Sequence, residues 1–364
     1  MKILVIHATA GAGHKKAAEA IFNGLQKQAG HQSLLVDALD YTNPIFKRTY
    51  PEAYSLLVTK VPWLWGMFFK LLDLPLLQPL VRGTRRIYNG LNAGRLQKFL
   101  IKEQFDVIFT TQFLSAEVSS YLKRTGQIKS KVICVVTDFD VHRIWINVGI
   151  DAYAGASDFT RDKIVSLGID PQRVFVTGIP TDAKFAQTPD TSALKKQMNL
   201  QEGKFTVLMA TGSFGMGPIE EILDGLKGHQ VVVVCGYNKA LYERLKLKAG
   251  QGVHILGLVQ NMYELMSVAD VMVTKPGGLS IAEALVKRLP MLFFSAIPGQ
   301  ETHNIEVLHK YGAAEDQMSV AGIAQKIREL SSSPQEMARL RQNLTVLSKP
   351  NAVNDIIQII NSPL

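Results

Sequence analysis

Short apolar runs rich in Val, Ile and Leu alternate with helical patterns through both halves of this 364-residue chain. Runs of this length predict buried strands, and a helix between successive strands is the connection that parallel strands need. We therefore expect an α/β fold built from doubly wound, Rossmann-like parallel sheets. The predicted strands are 3–7, 34–37, 107–110, 132–137, 152–155 and 173–177 in the first half, and 206–210, 230–235, 253–256, 271–274 and 291–294 in the second.

A chain of this length has room for two domains, each with its own core. The segment 178–191 contains two prolines and two aspartates and has the composition of a linker. We predict an N-terminal domain over 1–180 and a C-terminal domain over 181–348, facing one another across a cleft. The last helix, within 349–364, either completes the second domain or crosses back to the first.

The composition is that of a folded protein, with 47% apolar and 20% charged residues. Cys134 and Cys235 lie inside apolar runs, so we interpret them as reduced core thiols rather than a disulfide or metal pattern. The chain starts with a short apolar run that is interpreted as a strand and not as a signal peptide.

The net charge of +9 belongs to the N-terminal half, since residues 1–180 hold 22 Lys and Arg against 14 Asp and Glu. Within this half, segment 41–100 leaves the strand–helix alternation and combines cations with apolar aromatics. Its longest uncharged run, 61–69, is shorter than the roughly 18–20 residues of a membrane span. Such a composition is typical of a segment that lies in a membrane interface and binds anionic lipids. The candidate contacts are Lys47, Arg48, Trp63, Trp65, Phe68, Phe69, Arg82, Arg85 and Arg86.

A helical insertion that packs on the domain, with solvated cations, is the alternative interpretation of segment 41–100. We expect an anionic surface as its partner, and no nucleic acid.

A Gly-Gly loop follows the predicted strand 271–274 and precedes a helix. Backbone N–H groups at such a helix start can hold a diphosphate. About twenty residues later, a loop of amide and carboxylate side chains can hold a polyhydroxylated ring, and a nucleotide-sugar is the ligand that needs both. The candidate binding residues are Lys275, Gly277, Gly278, Leu279, Ser280, Glu283, Gln300, Glu301 and Asn304.

Two alternatives accompany this interpretation. Ser280 and Glu283 have the spacing of a capping box, which would give them only a role in starting the helix. The loop that contains Gln300 could be an ordinary polar connection. A second Gly-rich loop, containing Gly212, Ser213, Phe214 and Gly215, is predicted to contact the diphosphate as well, or to form only a tight turn.

The first strand is followed by a third glycine-rich loop that contains Gly13 and His14. A Gly-x-Gly pattern at this place is typical of a dinucleotide-binding loop, and Asp37 lies at the end of the next strand, where such a site has its ribose-binding acid. The third glycine of that pattern is missing. A histidine at a helix N-terminus is expected to stay neutral, because the helix dipole disfavours its charged form. A neutral imidazole can act as a general base, so His14 is the candidate catalytic residue.

Asp138 and Asp140 form an Asp-x-Asp pair after strand 132–137, which is too little information to predict a metal site. We interpret both as loop carboxylates and expect no metal and no cofactor. His142 lies on the same loop, where a doubly wound domain exposes functional side chains. It is the second candidate base, or a contact of the donor phosphate.

Six motifs in this order resemble the monogalactosyldiacylglycerol synthase and processive diacylglycerol glucosyltransferase family, which is related to MurG. They are AGAGH at 10–14, TDFDVHRIW at 137–145, TGIP at 177–180, TGSFGMGP at 211–218, KPGG at 275–278 and PGQE at 298–301.

The resemblance implies a GT-B fold and an inverting transfer of hexose from UDP-glucose or UDP-galactose to diacylglycerol. It further implies a peripheral enzyme at the cytoplasmic face of a membrane, with no bound metal. By the same resemblance, Glu283 binds the ribose of UDP, Val259 lies near the uracil, and Gln300 and Glu301 contact the hexose. The alternatives are a MurG-like transferase with a polyprenyl-linked acceptor, a UDP-sugar epimerase, and a non-catalytic nucleotide-sugar sensor.

Overall fold

The computed structural model describes residues 1–9, 11–210, 212, 217–315 and 317–363. It divides into two compact units. The N-terminal unit comprises Met1–Asp182, Ile297–His303 and Asn351–Leu364, and the C-terminal unit comprises Ala183–Ala296 and Asn304–Pro350. The first division falls beside the predicted boundary at residue 180. The short stretch Ile297–His303 differs from the sequence-based division, since it packs with the N-terminal unit.

A six-stranded parallel sheet forms the centre of the N-terminal unit, with strand order β2-β1-β3-β4-β5-β6. The order reverses direction after β1, as doubly wound sheets do. All six predicted strands are present, with ends that differ by at most two residues. Their bounds are β1 Lys2–His7, β2 Gln32–Asp37, β3 Val107–Thr110, β4 Lys131–Val135, β5 Ala152–Gly155 and β6 Val174–Val176.

Helices cover both faces of this sheet, because alternate residues of β1 point to opposite sides. Ile3 and Val5 pack in one apolar cluster, and Leu4 and Ile6 pack in another. The helices up to residue 166 are α1 Ala12–Gln26, α2 Pro44–Lys60, α3 Pro62–Asp73, α4 Gln78–Asn92, α5 Gly94–Glu103, α6 Phe113–Arg124 and α7 Asp158–Ser166.

Segment 41–100 is helical, as the insertion interpretation expects, and comprises α2, α3, α4 and most of α5. In the part of the chain that the structure describes, no single helix has the length and hydropathy of a membrane span. The pair of α2 and α3 reaches those values only together, and the two helices are bent by 111° at their junction.

The C-terminal unit contains a five-stranded parallel sheet with strand order β11-β10-β7-β8-β9. The five predicted strands of the second half are present as β7 Thr206–Ala210, β8 Gln230–Val234, β9 Val253–Leu256, β10 Val271–Thr274 and β11 Met291–Phe293. The helices of this half are α8 Thr191–Gln197, α9 Ile219–Gly225, α10 Lys239–Lys248, α11 Met262–Val268, α12 Gly278–Lys287, α13 Gln300–Lys310, α14 Val320–Ser332 and α15 Pro334–Leu344.

The last helix, α16 Ala352–Gln358, belongs to the N-terminal unit. It packs on α1, where Gly24 allows close approach of Val353 and Ile357. Ile356 and Ile357 are buried in the same cluster as Ile3. Because these apolar side chains complete one face of the first sheet, the end of the chain is part of the N-terminal core.

Candidate functional site

The carboxyl ends of β1, β3 and β4 bring the loops around His14, Thr111 and Thr137 together. These three strands are neighbours in the parallel sheet, so the residues that follow them meet at one edge. The hydroxyl of Thr137 lies 3.0 Å from Nδ1 of His14, and the hydroxyl of Thr111 donates to the His14 carbonyl at 2.9 Å. His14 is therefore held from two neighbouring strands.

His14 is neutral at physiological pH. Burial lowers its pKa to about 4, against the smaller, opposing effect of a hydrogen bond between the ring and the Thr111 backbone. The sequence-based expectation of a neutral ring agrees with this direction. The cause differs, because burial rather than the helix dipole is the main contribution. A tautomer in which Nδ1–H donates to Thr137 leaves Nε2 unprotonated and able to accept a proton.

His142 is buried and has both ring nitrogens engaged by backbone groups. Its Nδ1 accepts a hydrogen bond from the Ile144 N–H at 3.1 Å, so the ring hydrogen is on Nε2, which donates to the carbonyl of Phe69 at 2.9 Å. Burial lowers the pKa of His142. With Nδ1 and Nε2 both used in this way, the geometry favours His14 over His142 as the base.

Asp37 has a structural role at the end of β2. Its carboxylate accepts hydrogen bonds from the hydroxyl of Thr9 and from the Leu39 N–H at 3.0 Å. The dinucleotide interpretation required this carboxylate for a ribose, whereas here it fixes the loop after β1 and the turn after β2.

Segment 297–303 consists of the end of a loop and the first turn of α13, and we call it the loop 297–303. It packs in the N-terminal unit beside the loop after β4. The side-chain amide of Gln300 donates to Asp138 Oδ1 at 2.8 Å, and His303 Nδ1 lies 3.1 Å from Asp140 Oδ2. The Glu301 carboxylate accepts from the Ile297 N–H at 2.7 Å. Two of the polar side chains predicted to contact a hexose are thus held in place by hydrogen bonds.

The charges around this loop are balanced by contacts. Burial alone would raise the pKa of Asp140, but the hydrogen bond from His303 and the charge of Lys163 hold it below its ordinary value. Burial, followed by the negative charges of Glu301 and Asp138, raises the pKa of Tyr54. Tyr54 is on α2, and its ring packs edge-on against Trp65 of α3.

The start of α12 lies in the C-terminal unit and is formed by the Gly-Gly loop. Gly277 occupies the N-cap position, and among the described residues no side chain donates or accepts a capping hydrogen bond there. Ser280 is in the first turn, so the capping-box interpretation of Ser280 and Glu283 is wrong. The physical reason is that the helix begins at Gly278, three residues before the start at Ile281 that this motif requires. Glu283 is buried on this helix.

Asn304 holds the same loop. Its side-chain amide donates to the Pro276 carbonyl at 3.1 Å, and the side chain is fully buried. This contact makes Asn304 a support of the Gly-Gly loop. Lys275, Leu279 and the partly buried Val259 lie on loops and a helix start that follow strands of the same sheet.

The second Gly-rich loop is described only in part. Gly212 has a φ of +69°, a left-handed conformation that favours glycine. Ser213, Phe214 and Gly215 lie outside the described residues, and their predicted phosphate contacts stay predictions. Gly13 lies in the first turn of α1, next to His14.

The predicted lipid contacts separate into outward and inward side chains. Trp63 and Phe68 are exposed, whereas Trp65 packs edge-on against Tyr54 and Phe69 lies against His142 with ring centroids 4.2 Å apart. Both side chains are half-buried because α3 turns them toward the protein, so their predicted lipid contact stays a prediction that this packing does not favour.

The cations of segment 41–100 are also divided. Arg85 forms an ion pair with Glu117, and its side chain is only 20% exposed, which argues against the predicted lipid contact there. Lys47 and Arg48 are exposed, with Asp40 and Glu52 beside them. The side chains of Arg82 and Arg86 lie outside the described residues.

Four residues of this region were missed by the sequence interpretation, namely Tyr54, Asp73, Asp138 as a partner of Gln300, and His303. Asp73 ends α3 and accepts from the Arg143 N–H at 3.1 Å. The sequence offers one signal for Asp73. It and Glu52 are the only carboxylates in segment 41–100, which is otherwise rich in cations.

Two doubly wound parallel sheets define the class of the molecule, which is a protein of GT-B fold. The crystal structure of MurG from Acinetobacter baumannii is similar, with a TM-score of 0.62 and 14% identity over 99% of each chain.

Sequence similarity identifies the family. Residues 14–181 match the monogalactosyldiacylglycerol (MGDG) synthase model, and residues 216–358 match the glycosyltransferase family 28 C-terminal domain. A processive diacylglycerol beta-glucosyltransferase from Bacillus subtilis (strain 168) is 29% identical, over 99% of this chain and 94% of that protein. A protein of the same name from Staphylococcus aureus (strain JH9) is 33% identical, over 83% of this chain and 78% of its own length. The chain belongs to this family of glycosyltransferases.

Proposed function

We propose that this protein transfers glucose from UDP-glucose to the free hydroxyl of diacylglycerol at a membrane surface and inverts the anomeric configuration. The observation that carries the proposal is the neutral, half-buried imidazole of His14, held by Thr137 at the carboxyl end of the first sheet. The names of the family relatives support diacylglycerol as the acceptor and glucose as the sugar.

His14 acts as the general base of the transfer. The diacylglycerol hydroxyl attacks the anomeric carbon of the donor, the bond from that carbon to the diphosphate oxygen breaks, and UDP leaves. The hydroxyl proton passes to Nε2 of His14. One displacement converts an α-linked donor into a β-glycoside. Negative charge from the donor diphosphate favours the imidazolium, so donor binding raises the pKa of His14 toward the working pH.

The C-terminal unit binds the nucleotide. The N–H groups at the start of α12 receive the diphosphate. Gly277 presents no side chain there, and a Cβ atom at this position would meet no atom of the described residues within 4 Å. Glu283 accepts from the ribose hydroxyls, and Val259 contacts the uracil. The helix dipole stabilises the departing UDP, and the reaction uses no metal ion.

The acceptor reaches the enzyme from a lipid bilayer through segment 41–100. Exposed apolar side chains are concentrated on this segment, and α3 alone presents Trp63, Met67, Phe68 and Leu71 to solvent. We call these four residues the outer face of α3. A contiguous group of exposed aromatic and aliphatic side chains is typical of a membrane-binding surface.

The test is incubation with UDP-glucose and vesicles that contain diacylglycerol, followed by chromatography of the lipids. We expect a glucosyl diacylglycerol, and we expect His14→Ala to lower turnover by about 10²–10⁴-fold while UDP affinity stays nearly unchanged. If His14→Ala retained most of its activity, His14 would not be the general base.

The same assay separates the alternatives. UDP-galactose replaces UDP-glucose in one arm, and a polyprenyl-linked acceptor replaces diacylglycerol in another. Conversion of the UDP-sugar without any lipid would identify an epimerase instead of a transferase.

A further inference from the structure

We propose that α3 positions the loop 297–303 for the donor hexose, with Gly66 and Phe69 as positioning residues. This inference rests on the proposed function, because it takes Gln300 and Glu301 of that loop as the hexose contacts. It assigns α3 a second role besides contact with a lipid surface.

The backbone of α3 touches the loop at Gly66. A Cβ atom at this position would lie 2.7 Å from the Cβ of Pro298, a separation that real Cβ atoms do not adopt. Glycine in the middle of a helix lowers helix stability, so its presence here is explained by the close approach of the loop. The close approach of α3 and Pro298 therefore depends on the absence of a side chain at Gly66.

The ring of Phe69 supports the next residue of the loop. Gly299 has a φ of +91°, and a Cβ atom there would lie 2.6 Å from Cδ1 of Phe69. The same ring lies 6.0 Å from the ring of His303, centroid to centroid. Phe69 thus contacts the loop on both sides of Gln300 and Glu301.

The end of α3 fixes the loop after β4 as well. The Phe69 carbonyl accepts from His142, and Asp73 accepts from the Arg143 N–H. This loop carries Asp138, which receives the hydrogen bond from Gln300. The amide of Gln300 is consequently held by a carboxylate whose own loop is anchored to α3.

The inner and outer faces of α3 have different partners. Its outer face is exposed to solvent, while Gly66 and Phe69 face the loop, and both sets lie on a helix of 12 residues. Since both sets belong to one short helix, a displacement of α3 at its outer face would also displace the support of Gln300 and Glu301. The position of α3 therefore determines the geometry of the hexose contacts.

The experiment compares Gly66→Ala with Gly83→Ala. Both substitutions replace a helical glycine of segment 41–100, but a Cβ at position 83 meets no described atom within 4 Å. Alanine favours the helix at both positions, so loss of helix does not explain a difference between them. The measurements are kcat and KM for UDP-glucose and for UDP-galactose, the inhibition constant of UDP, and the melting temperature.

We expect Gly66→Ala to lower kcat/KM for the preferred donor at least tenfold and to bring the ratio of the two donors toward one. UDP should inhibit it within about twofold of the wild-type value, because the nucleotide site is not involved, and Gly83→Ala should match the wild-type enzyme. Wild-type kcat/KM and donor ratio in a folded Gly66→Ala enzyme would overturn the inference.

Phe69→Ala tests the same inference without introducing a clash, and it decides the matter if Gly66→Ala does not fold. It should reduce the donor ratio, and Phe69→Leu should restore part of it. An unchanged donor ratio in Phe69→Ala would overturn this inference but not the proposed function. Absence of sugar transfer by the wild-type enzyme overturns the proposed function, and the inference with it.

Discussion

The hydroxyl of Thr137 lies 3.0 Å from Nδ1 of His14, across two loops separated by 123 positions in the chain. The contact joins the end of β4 to the first turn of α1. In the tautomer in which Nδ1–H donates to this hydroxyl, Nε2 carries no hydrogen and is basic. Thr137 therefore orients the base of the proposed reaction.

Thr137→Val removes this hydroxyl and keeps the shape of the side chain. We expect kcat to fall about tenfold, the equivalent of a net hydrogen bond of about 1.4 kcal/mol, with UDP affinity unchanged. Steady-state kinetics on diacylglycerol vesicles provide the measurement. Thr125→Val, at an exposed position, is the matched control and should show wild-type kcat. Equal kcat values for the two variants would exclude the orienting role.

Acid should destabilise the protein through its buried histidines. Burial lowers the pKa of His14 to about 4 and also lowers the pKa values of His7 and His142, whereas an unfolded chain titrates these groups near 6.5. Below about pH 6.5 the unfolded state binds more protons than the folded state, so stability falls as the pH falls from 6.5 to 4.

The measurement is the melting temperature at several pH values between 7 and 4.5. His14→Asn removes the titrating ring and retains an amide that can donate to Thr137. Its melting temperature should depend less steeply on pH than that of the wild-type protein. Parallel curves would show that His14 does not contribute to acid lability.

The outer face of α3 should control binding to vesicles. Trp63→Ser combined with Phe68→Ser removes two exposed aromatic side chains, 68% and 42% accessible, and should lower vesicle affinity at least tenfold. Co-sedimentation with diacylglycerol vesicles provides the readout. Tyr237→Ser is the control, because Tyr237 is equally exposed at 68% but lies in the C-terminal unit. A similar loss in both proteins would argue against a specific membrane face.

Arg85 should affect stability rather than lipid binding. Its partner Glu117 is mostly buried, and burial raises the pKa of this carboxyl against the opposing charge of Arg85. Arg85→Ala leaves that carboxylate without its cation and should cost about 3 kcal/mol of unfolding free energy. Vesicle affinity should stay at the wild-type value.

Denaturant unfolding and co-sedimentation together test the role of Arg85. Arg48→Ala, at an exposed cation on α2, is the control and should have nearly wild-type stability. Weaker vesicle binding by Arg85→Ala, without loss of stability, would instead indicate that Arg85 contacts lipid, as the sequence predicts.

The sequence determined the strands and much of the connectivity. Eleven short apolar runs predicted eleven strands, because fully buried parallel strands need continuous β-branched residues and leave a local signal. The departure of segment 41–100 from this pattern was also local, so the helical insertion could be anticipated. His14 became a candidate because it lies at the predicted helix start that follows the first strand.

The tertiary structure decided which side chains meet. Phe68 and Phe69 are adjacent and chemically identical, yet Phe68 faces solvent and Phe69 supports Gly299, because one step along a helix rotates a side chain by about 100°. Asp138 and Gln300 are 162 positions apart, and their hydrogen bond depends on the path of two loops. The hydrophobic periodicity of a sequence reflects which face of each helix or strand is buried. A contact between distant loops leaves no local pattern in the sequence and arises only when the chain is folded.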